Sequence, residues 1–350
     1  MPMIDPHVHL RDWKEKEKET LAHGLAVALS CGIDEVFDMP NTQPTLTERN
    51  TVLKRLKDAE QCGIGVHYHL YAGLTSSPEQ IGAMVSLVQE LFPRVVGLKM
   101  FASHSTGNMG LVQEKEQALV YRTLSDCGYE GVVALHCEKE SLLHPELYNT
   151  TDFSSHSLAR PVCAEVESVS DQLRIAQEEG FKGHLHFCHL SSIEALHEIE
   201  KARSQGVRVS CAVTPHHALL SSDDAKDRSL YAKMNPPLRS ETERSTLFAA
   251  LLGGRIDWIE SDHAPHTLHD KEAGASGIPG FSGILLLVKE LLEQGATAPL
   301  LQKLLGRRVQ EVFHLPCREI FIPAYDDLES LSTKSADEYP WDSYRNLRLR

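Results

Sequence analysis

The sequence predicts an α/β fold, a (β/α)8 barrel, on three observations. Short apolar segments alternate with amphipathic, helix-like segments, which is typical of a parallel sheet covered by helices. The alternation repeats eight times, and eight repeats favour closure into a barrel. Reactive polar residues occur where several predicted strands end, and barrels of this class place their active sites at that edge.

The predicted elements follow one another in a regular order. Each strand is a short, largely apolar run, and the eight runs are residues 1–7, 33–39, 65–73, 95–101, 132–137, 184–190, 208–214 and 256–262. Each helix carries apolar residues at helical spacing, and the helices are residues 17–32, 47–63, 77–92, 111–127, 160–180, 191–206, 240–252 and 282–295. We therefore expect a single barrel domain over residues 1–314. The polar, poorly periodic residues 315–350 are expected to form a C-terminal tail that wraps the barrel.

Composition narrows the range of partners and locations. The 350 residues carry a formal charge of −14, which argues against non-specific binding to nucleic acid. No apolar run is long enough to cross a membrane, and no signal peptide is visible, so no membrane partner is expected. The eight cysteines are scattered, as free thiols of a reducing compartment would be, and we expect a cytoplasmic protein.

Two histidines close the first strand at a spacing that suits a metal ion. His7 and His9 are two residues apart, so in a strand their side chains point the same way and can bind one ion. The same spacing recurs at residues 67–69 and 184–186, where it is more often an ordinary polar pair. The first pair is favoured because further ligand types end later strands.

Four residues at the ends of later strands complete this candidate centre. His136 and His189 would each add an imidazole, although His186 competes with His189. Asp262 could bind a metal and carry a proton, or serve as a loop carboxylate. Lys99 cannot bind a metal as an ammonium. It could reach the rim or hold a phosphate, or carbamylation by CO₂ could turn it into an anion that bridges two ions.

The set of motifs resembles the dihydroorotase family of the amidohydrolase superfamily. The motifs are "DPHVHLRD", "DMPNTQPT", "GLKMF", "ALHCE", "CHLSS", "TPHH", "NPPLR" and "SDHAPHT", and they run in the family's order from residue 4 to about residue 280. The resemblance implies an amidohydrolase-type barrel with two zinc ions per subunit. It implies that His7, His9 and Asp262 hold one zinc and that His136 and His189 hold the other. It also implies that Lys99, carboxylated at its side-chain nitrogen, bridges both ions.

The resemblance also implies an activity. It is the reversible interconversion of N-carbamoyl-L-aspartate and L-dihydroorotate in de novo pyrimidine biosynthesis, with Asp262 moving the proton. Arg11, Asn41 and His266 match the residues that bind the substrate carboxylate, and Asn235 matches a residue that reads the pyrimidine ring edge. Taken singly, Asn41 and Asn235 would be turn residues and His266 a loop histidine. A homodimer is a family expectation.

Some features depart from the family pattern. The chain begins at the first strand, so a flanking β-sandwich is expected to be minimal or missing. Glu260 stands where a small residue is common, with no assigned role, and Ser282 replaces a usual glutamate. Residues 102–110 could form a lid over the site or an ordinary mobile loop.

Two other functions compete with this prediction. Allantoinases and dihydropyrimidinases share the metal ligands, but their substrates lack the α-carboxylate that Arg11, Asn41 and His266 would bind. An inactive scaffold protein of the same fold is the alternative from another class. Such relatives usually lose metal ligands, whereas all six candidates are present here.

Overall fold

The computed structural model describes residues 3–104 and 109–347, and its strands form one parallel eight-stranded sheet in the order β1 to β8. Each strand pairs with the next along the chain, which confirms the predicted (β/α)8 barrel. The strands are β1 Met3–Val8, β2 Ile33–Asp38, β3 His67–Gly73, β4 Val95–Phe101, β5 Val132–His136, β6 His184–Phe187, β7 Val209–Val213 and β8 Trp258–Ile259. A parallel bridge between Val8 and His263 brings the two ends of the sheet together.

Helices connect successive strands around the outside of the sheet. In chain order they are α1 Leu21–Ser30, α2 Arg49–Gln61, α3 Pro78–Leu91, α4 Glu114–Asp126, α5 His156–Ala159, α6 Val162–Glu178, α7 Ile193–Ser204, α8 Pro215–Leu219, α9 Ser222–Arg228, α10 Glu241–Leu252, α11 Leu268–Glu272, α12 Phe281–Glu293, α13 Ala298–Gln302, α14 Arg308–Val312 and α15 Tyr325–Asp337. Eight of them, with 10 to 17 residues each, follow the eight strands in turn: α1, α2, α3, α4, α6, α7, α10 and α12. Several begin with a capping hydroxyl, as at Ser192, whose side chain accepts from the amide of Ala195.

Most of the strands are buried on both faces. All residues of β1, β4, β5, β6 and β7 are buried, as expected of parallel strands enclosed by helices. The register sets Lys99 beside Ala134 and Phe101 beside His136 across β4 and β5. The carboxyl ends of the strands therefore deliver their side chains to one rim.

Two strands are shorter than the sequence suggests. β6 ends at Phe187 rather than at residue 190, and β8 covers only Trp258–Ile259 of the predicted 256–262. The backbone leaves the extended region soon afterwards, with φ of 37° at His189 and 49° at Asp262. Beyond β8, the amide of Ser261 donates to the side chain of Asp5 at 3.0 Å instead of to a strand. Both site residues therefore lie in turns that follow their strands.

The C-terminal residues lie against the barrel. Helix α15 packs along α12, and Asp342 accepts a hydrogen bond of 2.7 Å from Ser282, the residue that departs from the family pattern. The small side chain of Gly283 admits the ring of Tyr344, which a Cβ at that position would meet at 2.3 Å. Of the proposed lid, residues 105–108 lie outside the described residues. Among the helices that the structure describes, none combines the length and apolar character needed to span a membrane.

Candidate metal centre and active site

One cavity at the rim of the barrel collects most of the candidate residues. It holds about 380 Å³ of empty space, part of it open to solvent, and its wall includes eight of the ten predicted site residues: His7, His9, Arg11, Asn41, His136, His189, Asn235 and Asp262. The other two lie behind the wall. Lys99 is fully buried beneath the cavity floor, and His266 is packed behind Arg11.

The first ligand group brings together His7, His9 and Asp262. One carboxylate oxygen of Asp262, Oδ1, lies 3.0 Å from His9 Nε2 and 3.3 Å from His7 Nε2. Burial alone would raise the pKa of Asp262, but its hydrogen bond from His9 and the charge of His7 outweigh burial. The pKa therefore lies well below its ordinary value, and the group is an anion. These three ligand atoms lie within 4.8 Å of one another, a spacing that one ion could fill.

The second group is the imidazole pair His136 and His189. His136 Nδ1 lies 3.1 Å from His189 Nε2. Two ligand nitrogens at about 2.0–2.1 Å from a tetrahedral zinc are separated by a similar distance. Burial, together with the charges of His136 and His7, holds the pKa of His189 well below its usual value. A neutral imidazole is the form that binds a metal.

Oxygen acceptors fix which nitrogen of three imidazoles faces the cavity. His7 Nδ1 lies 2.9 Å from Glu260, His9 Nδ1 lies 2.7 Å from the amide oxygen of Asn41, and His136 Nε2 lies 3.1 Å from Glu138. Because each acceptor requires a proton on the nitrogen it faces, the other nitrogen is free to offer a lone pair. This arrangement is typical of metal-binding histidines.

Two further observations fit a cation at this centre. Burial lowers the pKa of His7, but the negative charges of Glu260 and Cys188 outweigh it and raise the pKa to about 10. The two anionic groups around His7 therefore favour a positive charge at this place, which a metal ion would supply. In addition, His189 Nδ1 is buried and has no hydrogen-bond partner within the described parts of the chain. The residues present thus fit a divalent metal with nitrogen and oxygen ligands.

Lys99 lies next to a thiol, and its charge acts on one histidine of each group, His7 and His189. Its Nζ is 3.2 Å from Cys188 Sγ and 4.9 Å from the centre of the Phe101 ring. Burial would raise the pKa of the Cys188 thiol, but the charges of Lys99, His7 and His186 together outweigh it and lower the pKa to about 5. Lys99 and Cys188 are therefore in direct contact in the barrel interior, with Lys99 Nζ donating to the sulfur.

Arg11 presents a buried cation to the same cavity. It is only 2% exposed, its Nε donates to the carbonyl of Pro265 at 3.1 Å, and Nη2 lies 3.2 Å from His266 Nε2. Its closest carboxylate partner in the structure, Glu15, is 3.9 Å away. Burial and the charge of Arg11 keep the pKa of His266 far below its usual value, so His266 is neutral. The guanidinium is thus held in place by the carbonyl of Pro265, and its ion pair with Glu15 is a long one.

The two asparagines are oriented by histidines. The amide oxygen of Asn41 faces His9, and the amide oxygen of Asn235 lies 2.9 Å from His156 Nε2. Burial and the charge of Lys233 lower the pKa of His156 to about 3, so His156 is neutral. It can donate one hydrogen bond through this nitrogen. The amide nitrogen of Asn235 is then the end left to face the cavity.

The sequence did not assign roles to three residues that touch the centre. Glu138 accepts from His136 and forms a two-bond ion pair with Arg160. It stands two residues after His136, a spacing that could have revealed it. Cys188 precedes His189 directly. Glu260 departs from the family pattern, but its contacts with His7 and with the backbone of His189 form only in the closed barrel.

Comparisons with known proteins identify relatives of the whole barrel. A dihydroorotase of Brevibacillus brevis is 33% identical over 337 residues, covering 93% of this chain and 76% of that protein. Dihydroorotases of Archaeoglobus fulgidus and Thermococcus kodakarensis are 36% and 35% identical over 295 residues each. These matches cover 83% and 84% of this chain but only 66% and 63% of those proteins. The chain thus spans about two thirds of the length of these relatives.

Solved structures show the same architecture. An L-hydantoinase (dihydropyrimidinase) from Arthrobacter aurescens superposes with a TM-score of 0.79 at 25% identity, over 89% of this chain and 70% of that one. A dihydroorotase from Campylobacter jejuni superposes with a TM-score of 0.70 over 91% of this chain and 85% of that one, and at 17% identity it shows the fold alone. No family model matches the chain. On the strength of its sequence relatives, the chain belongs to the dihydroorotase family.

Proposed function

We propose that this chain is a zinc-dependent dihydroorotase that catalyses the reversible cyclisation of N-carbamoyl-L-aspartate to L-dihydroorotate. One observation carries the proposal: the buried Arg11 guanidinium shares a cavity with the imidazoles and Asp262. A guanidinium suits a planar carboxylate, which both of these substrates possess. The curated relatives of the chain carry the same family name.

The metal ligands in this proposal are the six residues predicted from the sequence. His7, His9 and Asp262 would hold one zinc ion, and His136 and His189 the other, with carboxylated Lys99 between them. When bound, zinc ions supply Lewis acidity to the scissile carbonyl and lower the pKa of water. Carboxylation would convert the buried ammonium of Lys99 into an anion, which removes an unfavourable cation from beside the metals.

The protein side chains supply binding and proton transfer. Arg11 binds the substrate carboxylate, and its hydrogen bond to Pro265 fixes the plane of the guanidinium. Asp262 takes a proton from the attacking water and passes it to the ring nitrogen as the amide bond breaks. In the synthetic direction Asp262 removes the proton from the ureido nitrogen as the ring closes. Asn41 and His266 support the carboxylate end, and Asn235 reads the ring edge.

The proposal places the reaction in de novo pyrimidine biosynthesis. A cytoplasmic location and a homodimer, both expected from the sequence, remain predictions. The direct test follows the ultraviolet absorbance of dihydroorotate with purified protein, before and after chelation. We expect turnover that is lost with the chelator and restored by zinc, and protein with bound zinc but no turnover would contradict the proposal.

A hydantoinase or dihydropyrimidinase activity is the second candidate. It is favoured by the superposition on the Arthrobacter aurescens L-hydantoinase, whose TM-score of 0.79 exceeds that of the Campylobacter jejuni dihydroorotase. These activities act on rings without the α-carboxylate, so Arg11 would have no partner in them. Parallel assays with dihydroorotate, allantoin, hydantoin and dihydrouracil separate the candidates, and a preference for an uncharged ring would support the second one.

A further inference from the structure

Glu260 is a fully buried carboxylate in the middle of the barrel, directly beneath the candidate metal centre. Four donors point to it. Its Oε1 accepts from His7 Nδ1 at 2.9 Å and from the amide of His189 at 2.8 Å. Its Oε2 accepts from His186 Nε2 at 3.2 Å and from Trp258 Nε1 at 3.3 Å. Each oxygen thus accepts two hydrogen bonds, which saturates an ionised carboxylate.

These contacts join the two ligand groups. His7 belongs to the group of His9 and Asp262, whereas His189 belongs to the pair with His136. A single oxygen of Glu260 contacts both groups, one through an imidazole and the other through a backbone amide. His189 needs such support because its φ of 37° lies in the left-handed region, where a residue with a side chain is strained.

The contact with His7 also selects its tautomer. A carboxylate oxygen can only accept, so His7 must carry a proton on Nδ1 and directs Nε2 towards Asp262, at 3.3 Å. Partners of this kind around metal-binding histidines orient the ring and strengthen the ligand. The side chain of His186, stacked on Trp258 with ring centres 4.3 Å apart, holds the other oxygen of Glu260.

We propose that Glu260 is a positioning residue that aligns His7 and His189 and so couples the two halves of the metal centre. The proposal rests on the zinc centre of the proposed function. If Glu260 had a purely structural role, its hydrogen bonds to His186 and Trp258 alone would be sufficient. The two bonds to candidate ligand residues are what give Glu260 an effect on metal binding.

The test replaces Glu260 by glutamine, which nearly preserves the volume. The amide nitrogen of glutamine donates, so one side of the new group faces two donors and loses both hydrogen bonds. We expect the affinity for zinc, measured by chelator competition, to fall by about 10–100-fold, as for other partners of metal-binding histidines. We also expect kcat to fall while KM for dihydroorotate changes little, because Glu260→Gln leaves Arg11 in place.

Glu35→Gln is the matched control. Glu35, in β2, is likewise a buried carboxylate beside a histidine, at 3.0 Å from His69 Nε2, but among the described residues it contacts none of the candidate ligands. This variant should keep the zinc affinity of the unsubstituted protein. If Glu260→Gln also keeps that affinity while the unsubstituted protein binds zinc and turns over dihydroorotate, the role of Glu260 is refuted and the proposed function stands. If the unsubstituted protein does neither, the proposed function itself fails.

A second measurement covers the case in which Glu260→Gln does not fold. Neutron diffraction from crystals of the unsubstituted, zinc-loaded protein locates deuterium on histidine rings. Deuterium on His7 Nδ1, directed at Glu260, would support the assigned tautomer. A bare Nδ1, or a Glu260 side chain turned away from His7, would overturn the proposal.

Discussion

Replacement of Arg11 by methionine tests the substrate assignment most directly. Methionine keeps an unbranched side chain of similar reach but removes the charge and the planar donors. In the structure Arg11 is 2% exposed and Glu15 is 3.9 Å away, so the guanidinium is already removed from water before substrate arrives. The guanidinium therefore loses its water when the protein folds, and not when it pairs with the substrate carboxylate.

The size of the effect follows from that burial. Truncating one partner of a buried, hydrogen-bonded charge pair costs about 2–5 kcal/mol. This corresponds to a loss of about 30-fold to several thousand-fold in kcat/KM. Arg11→Lys keeps the charge but loses the bidentate geometry. Its kcat/KM should therefore lie between those of the unsubstituted protein and Arg11→Met. Stability should change little, because the loss of the bond to Pro265 is offset by removing a buried cation whose ion pair with Glu15 is long, at 3.9 Å.

The assay compares initial rates with dihydroorotate for the unsubstituted protein and both variants, at equal zinc content. The zinc content should be unchanged, because Arg11 is not a candidate ligand. An Arg11→Met variant with an unchanged KM would refute the assignment of Arg11 to the substrate carboxylate. Loss of zinc from that variant would show instead that Arg11 acts on the metal centre.

Three further changes test other parts of the reasoning. Lys99→Ala should abolish turnover and lower the zinc content measured by atomic absorption, and full activity would exclude a bridging role for Lys99. His156, with its pKa lowered to about 3 by burial and by Lys233, stays neutral in the fold while the unfolded chain binds a proton. Its contribution to stability should therefore fall by up to about 1.4 kcal/mol per pH unit from about pH 6.5 towards 3. His156→Asn should flatten this slope in urea unfolding, and an equally steep slope would count against the burial argument. Trp341→Phe loses the indole donor to the carbonyl of His266, 3.0 Å away, and should cost about 1 kcal/mol in urea unfolding without loss of zinc. A variant as stable as the parent would show that this contact contributes little.

The barrel could be predicted because its signal is local and repeated. Each strand and the helix after it show their own pattern of apolar residues. Eight weak sequence signals therefore support one topology. The ends of β6 and β8 could not be predicted, because they depend on contacts with residues far away in the sequence. There the chain turns away because a side chain from elsewhere in the barrel, Asp5 in the case of Ser261, takes the backbone amide.

The positions of the site residues could be predicted only in part, for a related reason. Strand ends identify which residues reach the rim, and His7, His9, His136 and Asp262 do line the cavity. The partners of these residues come from distant parts of the chain. Glu260 contacts His7, which is 253 residues away in the sequence, and no local sequence pattern indicates such a contact.

The backbone at this rim shows why the surrounding contacts matter for function. Arg11, His189 and Asp262 all have positive φ, at 26°, 37° and 49°, although each has a side chain. Such conformations cost of order 1–3 kcal/mol each and persist only where neighbouring bonds hold them. Glu260 holds the amide of His189, and Asp5 holds the amide that precedes Asp262. Because these supports come from opposite ends of the sequence, the site geometry depends on closure of the whole barrel. Changes that loosen the junction of β1 and β8 should therefore reduce metal affinity before they unfold the protein.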